Sequence, residues 1–534
     1  MPKKILITTA IDYTNDIIHI GHAYQKVLAD CLARYHRLTG DETFFLTGTD
    51  EHGLQSQQAA GKRGITPKEL VDEVSQKNKE QLDALNVSYD RFIRTTDEDH
   101  QKVVADFWQK VAANKDEKGN FDIYLSSYSG WYCAGCEAYK TEKEIIESHC
   151  VYHPTLELEK TAEQNYFFRW SRYQDFLKSL ISDNPQFVIP QTRKNEMLSF
   201  LDEGLEDIPI SRPKDKIYWG IEVPNDPLQV IYVWFDALIN YITGAPRYWE
   251  DSESEISHIL GKDNTRWHAL LWPAMLKSAG YRMPSTVYSH GFMTLNSQKI
   301  SKTRGNIIRP SDLVESFGCD AVRYYLLRYG PIIEDVDITL SKIKEIYNSD
   351  LANGLGNLIA RVEKLLEPHD LEQLDWSDKD IVGSRLFNDV GAALKDYRVD
   401  RALEIIWLAI SGLDKYLARE RPWEVKDIGE QKKILWQIIY PSNSGFQPSR
   451  LRQGFGGQAL ADISEAQALL LFANSLPSET GSSKQSIVGG TALISLREIA
   501  FALEPFLPKT SQEIKKRLGV KRVRKGAPLF PRIA

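Results

Sequence analysis

A strand, an amphipathic helix and a second strand occupy the first fifty residues, and that order restricts the fold more than any other feature of the chain. Lys3 to Thr9 (KKILITT) is a short apolar run with the length of a buried strand. Ala23, Tyr24, Val27, Leu28, Cys31, Leu32 and Tyr35 then recur at helical spacing, which predicts a helix from about Gly21 to Arg37. Gly40-Asp41 is a turn, and Thr43 to Thr47 (TFFLT) is a second strand. Two strands joined through a crossover helix run parallel. The expected class is therefore α/β, with further helices over Pro67 to Asn86 and Asp97 to Ala113.

The character of the chain changes after the polar break at Lys115 to Asn120, where short strands, aromatics and cysteines follow. Leu228 to Phe235 (LQVIYVWF) reads as another buried strand, opening a second α/β stretch, and from about Leu340 the pattern is helical. This gives an α/β half over 1–115, an insertion over 116–227, a second α/β half over 228–339 and a helical domain over 340–534. Residues 442–480 are rich in Ser, Gly, Gln and Pro and read as a flexible insertion between helices at Lys426 to Tyr440 and Val488 to Leu503. Ile463 to Ala473 within it has the pattern of a further helix.

Composition sets outer limits. At roughly 150 residues per domain, 534 residues suggest about three domains. With 42% hydrophobic and 26% charged residues the chain is neither disordered nor collagen-like. No apolar run nears the ~20 residues of a membrane helix, and the N-terminus lacks a signal-peptide h-region. A cytoplasmic protein is expected. The net charge of −7 argues against a generic nucleic-acid coat but leaves room for a local basic surface.

Two segments carry phosphate chemistry. His19-Ile20-Gly21-His22 opens the first long helix, whose N-terminus offers free N–H groups and partial positive charge to an anion. Two imidazoles at i and i+3 can face one ligand, and Gly21 lets a flat ring approach the backbone. A pair of satisfied core or surface histidines fits the same four residues. Lys299-Ile300-Ser301-Lys302-Thr303, followed by Arg304-Gly305-Asn306, has the composition of a mobile cationic loop able to close on developing charge. A solvated basic loop is the plain alternative. No P-loop run occurs, so a nucleotide needs a different site.

A third segment concerns a metal. Cys133-Ala134-Gly135-Cys136, thirteen further residues and then Cys150-Val151-Tyr152-His153 provide a pair of ligands at each end, suited to tetrahedral zinc. His149 rivals His153, although its adjacency to Cys150 makes chelation by both awkward. Four protein ligands leave no open position, so the zinc is expected to be structural. Cys31 and Cys319 sit in helical patterns as core residues.

Together the two phosphate segments resemble the signature motifs of class I aminoacyl-tRNA synthetases, and further segments narrow the resemblance to the methionyl-tRNA synthetases. These are Ala10-Ile11-Asp12-Tyr13-Thr14-Asn15, Gly48-Thr49-Asp50-Glu51-His52-Gly53, Tyr232-Val233-Trp234-Phe235-Asp236-Ala237-Leu238, Gly261-Lys262-Asp263, His268 and Trp272-Pro273. The similarity covers most of the chain outside 442–480. It implies a Rossmann-like parallel-sheet catalytic domain, split by the zinc-binding insertion and followed by an α-helical anticodon-binding domain. It implies a methionine pocket in which Asp50 holds the ammonium. Ile11, Tyr13, Trp234, Ala237, Leu238, Tyr241, His268 and Trp272 would surround the thioether, which gains from aromatic edges. Core packing is the alternative for each aromatic. Leu238 and Asn240 stand where some members have proline and glycine.

The resemblance further implies that His19, Gly21, His22, Gly261, Asp263, Lys299 and Lys302 bind ATP, which brings Mg²⁺ with it, and that the histidine and lysine pairs are catalytic. Asn357, Arg361 and Trp423 would read the tRNA(Met) anticodon, by hydrogen bonding and stacking on unpaired bases. Interhelix packing of Trp423 is the alternative. The basic cluster from Lys515 to Lys525 would touch tRNA phosphates or cap a solvated helix. The stretch from Lys115 to Leu228 is too short for the editing insertion of the isoleucyl, valyl and leucyl enzymes, and a monomer is expected. A non-catalytic, zinc-containing tRNA-binding paralogue is the rival reading.

Overall fold

The computed structural model describes residues 2–133, 138–140, 142–151, 153–296, 298–299, 307–369, 381–439, 494–520 and 522–533, with backbone alone at 128–129, 138–139, 143, 153–155, 161–162 and 298–299. Cys136, Lys302 and the segment 442–480, with its expected helix at Ile463 to Ala473, lie outside the described residues.

The strand–helix–strand opening folds as its spacing requires. Lys4–Thr9 and Glu42–Asp50 pair in parallel, and Ile20–Leu38 is the crossover helix. Among the described residues the sheet has seven strands. Across it lie Val188–Ile189, Thr286–His290, Glu255–Gly261, Lys4–Thr9 and Glu42–Asp50, and the last of these carries both Asp12–Tyr13 and Arg91–Arg94. Every pairing in it is parallel. From Lys4–Thr9 the chain first builds outward through Glu42–Asp50 to Arg91–Arg94, then returns to the opposite side for Glu255–Gly261 and Thr286–His290. The order reverses between Lys4–Thr9 and Glu255–Gly261, and in open parallel sheets the crevice beyond such a reversal receives ligands.

Alternation along the strands feeds two cores. Ile5, Ile7, Phe45 and Ile259 face the core shared with Ile20–Leu38 and the later helices. Leu6, Leu46, Ile256 and Leu260 face a second core with Phe107, Phe235, Tyr241 and Trp272. Cys31 and Cys319 are buried, as their helical pattern suggested.

Leu228 to Phe235 differs from its sequence expectation. The strand is Asp226–Ile231, antiparallel to Ser211–Pro213 in a small separate sheet, and Val233–Leu238 is a helix. Its apolar run has no strict alternation to separate the two states, and Leu228 is largely exposed. The second half of the parallel sheet comes instead from Glu255–Gly261 and Thr286–His290.

The inserted region is built on the long antiparallel pair Ile123–Cys133 and Glu159–Phe168, flanked by Ala138–Lys140 and Ile208–Pro209. From Leu340 onward the described chain is helical, including Asn357–Leu366, Arg385–Lys395 and Val399–Glu420. The expected helix at Lys426 to Tyr440 is Ile428–Ile439, and the one expected from Val488 is described as Leu496–Leu503, capped by Ser495 and Glu498. Among the described residues no helix is long and apolar enough to cross a membrane.

One buried guanidinium joins these helices to the sheet. Arg323, fully buried on Cys319–Tyr329, pairs with Asp30 of Ile20–Leu38 at 2.7 Å. It also donates to the carbonyls of Phe506, Pro505 and Leu85 at 2.8, 3.1 and 3.2 Å. Burial works against the Asp30 charge, but Arg323 and then Arg34 hold its carboxyl below the usual range. Removing Arg323 leaves the buried Asp30 carboxylate with Arg34 and Ser88 alone and takes the donor from three carbonyls. Arg323→Met is therefore expected to cost about 3–5 kcal/mol, read as a fall in denaturation midpoint, with a smaller loss for Arg323→Met/Asp30→Leu. Equal losses in the single and double variants would contradict it.

Candidate active site

The loops at the reversal of the sheet carry most of the expected site residues. After Lys4–Thr9 the chain turns through Ile11, Asp12 and Tyr13 into Ile20–Leu38, with His19 as the N-cap. Gly21 N–H donates to His19 Nδ1 at 3.1 Å, and His19 N–H donates to His22 Nδ1 at 3.3 Å. The two imidazoles thereby face each other, 3.9 Å apart between ring centres. A side chain on Gly21 would meet the His19 ring at 2.9 Å. The ring that needs the glycine here is therefore the neighbouring histidine's own.

The described segment that follows the lysine motif meets the histidine helix, although 287 positions separate Gly21 from Ile308 in the chain. Ile20 N–H donates to the carbonyl of Ile308 at 2.9 Å, so the segment just past the lysine loop is tied to the first turn of the histidine helix. At the loop's other end Lys299 pairs with Thr294 in a hairpin, whose strand Met293–Leu295 follows directly on Thr286–His290 and Gly291-Phe292. Lys302 lies outside the described residues.

Gly261 and Asp263 lie at the end of the neighbouring strand. A Cβ on Gly261 would come within 2.9 Å of the Asp263 carboxylate and 3.8 Å of His290, so the carboxylate folds over the glycine. His290 and Gly291 escaped sequence reading. A Cβ on Gly291 would overlap the Glu334 carbonyl at 2.4 Å, a close approach that a lone glycine in sequence does not announce.

Aromatic side chains gather on the second-core side of the reversal. Tyr13 meets Trp234 edge-on at 6.5 Å, and Trp234 stacks on Trp267 at 4.8 Å. Tyr241 lies 6.1 Å from Trp272, and its hydroxyl is 2.7 Å from His268 Nε2. His268 Nδ1 donates to the Asn264 carbonyl at 2.9 Å, which leaves Nε2 to accept from Tyr241. Asp50 is buried at the end of its strand and acts electrostatically on Tyr241. Ala237 and Leu238 are buried on the short helix, and Ile11 packs against the same core. Trp267 and His258 were missed in the sequence. His258 lies against Tyr241 at 4.3 Å with Nδ1 2.6 Å from Thr8 Oγ1, and its place inside a strand gave no signal.

A buried ion pair sets the loop that carries Ile11 and Tyr13. Lys26 is fully buried, and its Nζ lies 2.6 Å from Asp12 Oδ1 and 3.2 Å from the Ala10 carbonyl. Burial pushes the Asp12 carboxyl up and the Lys26 ammonium down, each opposed by its partner.

The remaining candidates lie elsewhere. Cys133 and Cys150 are both buried and share a small cluster with Leu158 and Ile145. His153 opposes Cys150 across a two-strand pairing, while His149 Nδ1 donates to the Glu147 carbonyl at 2.7 Å. Among the described residues no group of three metal-capable side chains forms, since Cys136 and the His153 side chain lie outside them. In the helical part Arg361 ion-pairs with Asp414 and lies 5.7 Å from the ring of Trp423, which is 48% exposed. Asn357 opens the same helix as Arg361 and is exposed. In the basic cluster Lys515 pairs with Glu504, Lys516 with Glu513, and Arg517 with Glu513 and Glu363, so these cations stand among carboxylates.

The chain matches known proteins over most of its length. The family model of class I tRNA synthetases (M) matches residues 5–161 and 135–363. The methionine–tRNA ligase of Caldanaerobacter subterraneus subsp. tengcongensis is 39% identical over 457 residues, covering 82% of this chain and 70% of that protein. The Clostridium acetobutylicum methionine–tRNA ligase is 36% identical over 571 residues, covering 99% of this chain and 78% of that protein. The crystal structure of Mycobacterium tuberculosis methionyl-tRNA synthetase bound by methionyl-adenylate has a TM-score of 0.79 at 32% identity. It covers 99% of this chain and 100% of that one. The parallel sheet and the matching family model place the chain among the class I tRNA synthetases. Within that class, the chain belongs to the methionine–tRNA ligase family.

Burial brings His268 and His290 down to about 4 and holds His258 well below its ordinary value, so all three are neutral at neutral pH. Unfolded, they bind protons near pH 6.5. Between pH 6.5 and 4 the unfolded chain thus holds more protons than the folded one, and stability falls as pH falls through that window. Thermal unfolding should show a melting temperature that drops from pH 7 to pH 5. A melting temperature level over that range would contradict neutral burial of these rings.

Proposed function

We infer that this chain acts as a methionine–tRNA ligase, activating methionine with ATP to methionyl-adenylate and transferring it to the 3′ end of tRNA(Met). The observation that carries the reading is the bond from Ile20 to Ile308, which brings the base of the lysine loop to the histidine-capped helix at the reversal of the sheet. Family membership supports the same conclusion.

In the first step a methionine carboxylate oxygen attacks the α-phosphorus of ATP. The bond from that phosphorus to the bridging oxygen breaks, and pyrophosphate leaves; a Mg²⁺ accompanying ATP would supply further neutralisation of phosphate charge. Such transfers depend on positioning and charge stabilisation more than on a general base. His19 and His22, already facing each other at the helix N-terminus, would bind the triphosphate, with Gly21 allowing the close turn. Lys302, aided by Lys299, would neutralise the charge that develops on the departing pyrophosphate. Gly261 and Asp263 would meet the nucleoside. Asp50 would take the ammonium, and Ile11, Tyr13, Trp234, Ala237, Leu238, Tyr241, His268 and Trp272 would enclose the thioether. A neutral His268 suits an uncharged sulfur side chain. In the second step a ribose hydroxyl of the terminal adenosine attacks the activated carbonyl, and AMP leaves.

Asn357, Arg361 and Trp423 are proposed to read the anticodon, for which the half-exposed indole beside the guanidinium is a suitable stacking face. Cys133, Cys136, Cys150 and His153 would hold one structural zinc. The burial of Cys133 and Cys150 in one cluster fits two thiolate ligands, and the ion would supply folding energy to the insertion. We propose a cytoplasmic protein.

Pyrophosphate exchange measured with each amino acid separately is expected to respond to methionine alone. Exchange with no amino acid, alongside retained tRNA binding, would favour the non-catalytic paralogue. Lys302→Ala should slow adenylate formation by about 100-fold or more while methionine affinity stays within about twofold. Equal loss of both would remove Lys302 from its role. Metal analysis of the same preparation should give one zinc per chain, lost in Cys136→Ala.

A further inference from the structure

Three buried side chains that none of these roles uses meet where two parts of the candidate methionine pocket join. His52, His100 and Asp236 are 5%, 0% and 0% exposed. His52 Nδ1 donates to Asp236 Oδ2 at 2.7 Å, and His100 Nε2 donates to Asp236 Oδ1 at 2.8 Å. Each carboxylate oxygen is thereby claimed by a different ring. The other nitrogen of His100, Nδ1, lies 3.1 Å from Thr243 Oγ1. Burial opposes the charge on Asp236, but His52 and His100 bring its carboxyl down to about 2, so it acts as an acceptor on both sides at neutral pH.

The three residues belong to different elements. His52 follows Asp50 by two residues. Its ring meets Trp219 edge-on at 5.6 Å, and the Trp219 indole donates to the Glu51 carbonyl at 2.6 Å. Asp236 sits between Trp234 and Ala237 on Val233–Leu238, a helix of six residues with no side-chain cap. So short a helix does not hold its own direction and takes it from its contacts. His100 lies in the first turn of Glu98–Ala113, whose Phe107 and Trp108 pack edge-on against Phe235 at 5.9 and 5.4 Å. Phe235 supplies apolar packing without direction. The Asp236 carboxylate supplies the directional link.

We propose that His52 and His100 are positioning residues that grip Asp236 from both sides and thereby set the spacing between Asp50 and the wall formed by Trp234, Ala237 and Leu238. The ammonium and the side chain of one methionine must fit that spacing together, so the bridge governs amino-acid affinity without touching the ligand. The proposal rests on the pocket reading given above. A misplacement near 1 Å in such a site costs up to about 100-fold.

The two rings use different nitrogens, which allows a specific test. An asparagine amide imitates Nδ1 and a glutamine amide imitates Nε2. His52→Asn and His100→Gln keep the donor in place, while His52→Gln and His100→Asn carry the same group at the wrong reach. Methionine-dependent pyrophosphate exchange on the full chain, with thermal unfolding alongside, reads the difference. The mismatched variants are expected to raise KM for methionine about tenfold, with KM for ATP and kcat within about twofold, and the matched variants to stay within about threefold of the wild type. Matched and mismatched variants behaving alike, or KM for ATP rising in step with KM for methionine, would overturn the proposal. Should a mismatched variant fail to fold, its matched counterpart decides: retained KM supports the bridge and a tenfold rise overturns it. A wild-type chain without methionine-dependent exchange would instead overturn the pocket reading, and this proposal with it.

Discussion

Parallel pairing of Lys4–Thr9 with Glu255–Gly261 is the contact on which the rest of this molecule depends. The two strands lie some 250 positions apart in the chain, yet they run side by side in one direction. Their carboxyl ends therefore open together, and the loops that follow them face one crevice. The loop to His19 leaves from one strand, and the turn with Gly261 and Asp263 from the other. Glu42–Asp50 delivers Asp50 at the same edge, and Thr286–His290 delivers the hairpin that leads to Lys299. Antiparallel pairing of either central strand would send its loop to the opposite edge of the sheet.

Buried charges fix what apolar packing leaves free. Hydrophobic cores on both faces of the sheet supply most of the driving force, but that force is non-directional. Direction comes from buried polar links, among them the following. Arg323 joins Asp30 to the carbonyls of Pro505 and Phe506 and so ties the helical part to the crossover helix. Lys26 ties the Asp12 loop back to the end of its own strand. Asp236 accepts from two histidines of different elements. Each carries a desolvation cost that only good geometry offsets. They stand beside the crevice, or on the helix leading from it.

Legibility in the sequence followed periodicity. The first strands and helices were readable because their apolar residues repeat with a clear period, and the helix at Ile20–Leu38 falls within a residue of expectation at each end. The run LQVIYVWF was misread, because continuous apolarity serves a strand and a buried helix equally well. The strands Glu255–Gly261 and Thr286–His290 were not picked out, for the short polar-interrupted sequences EISHILG and TVYSH carry no clean alternation. Among candidate site residues, those inside recognisable motifs are legible in the sequence, whereas Trp267, His258, His290 and Gly291 acquire meaning only from what packs against them.

From the sequence alone came the α/β class, the change of character at the insertion, the ligand spacing of the cysteines and the histidine and lysine segments that suit a polyphosphate. These are local properties, set by side-chain period and chemistry over a few turns of chain. Tertiary structure alone decided that the segments around Ile20 and Ile308 touch and that Asp236 is held by His52 and His100. Contacts between residues 100 to 300 positions apart depend on strand order and on which face each strand turns inward, and no short stretch of sequence contains that information.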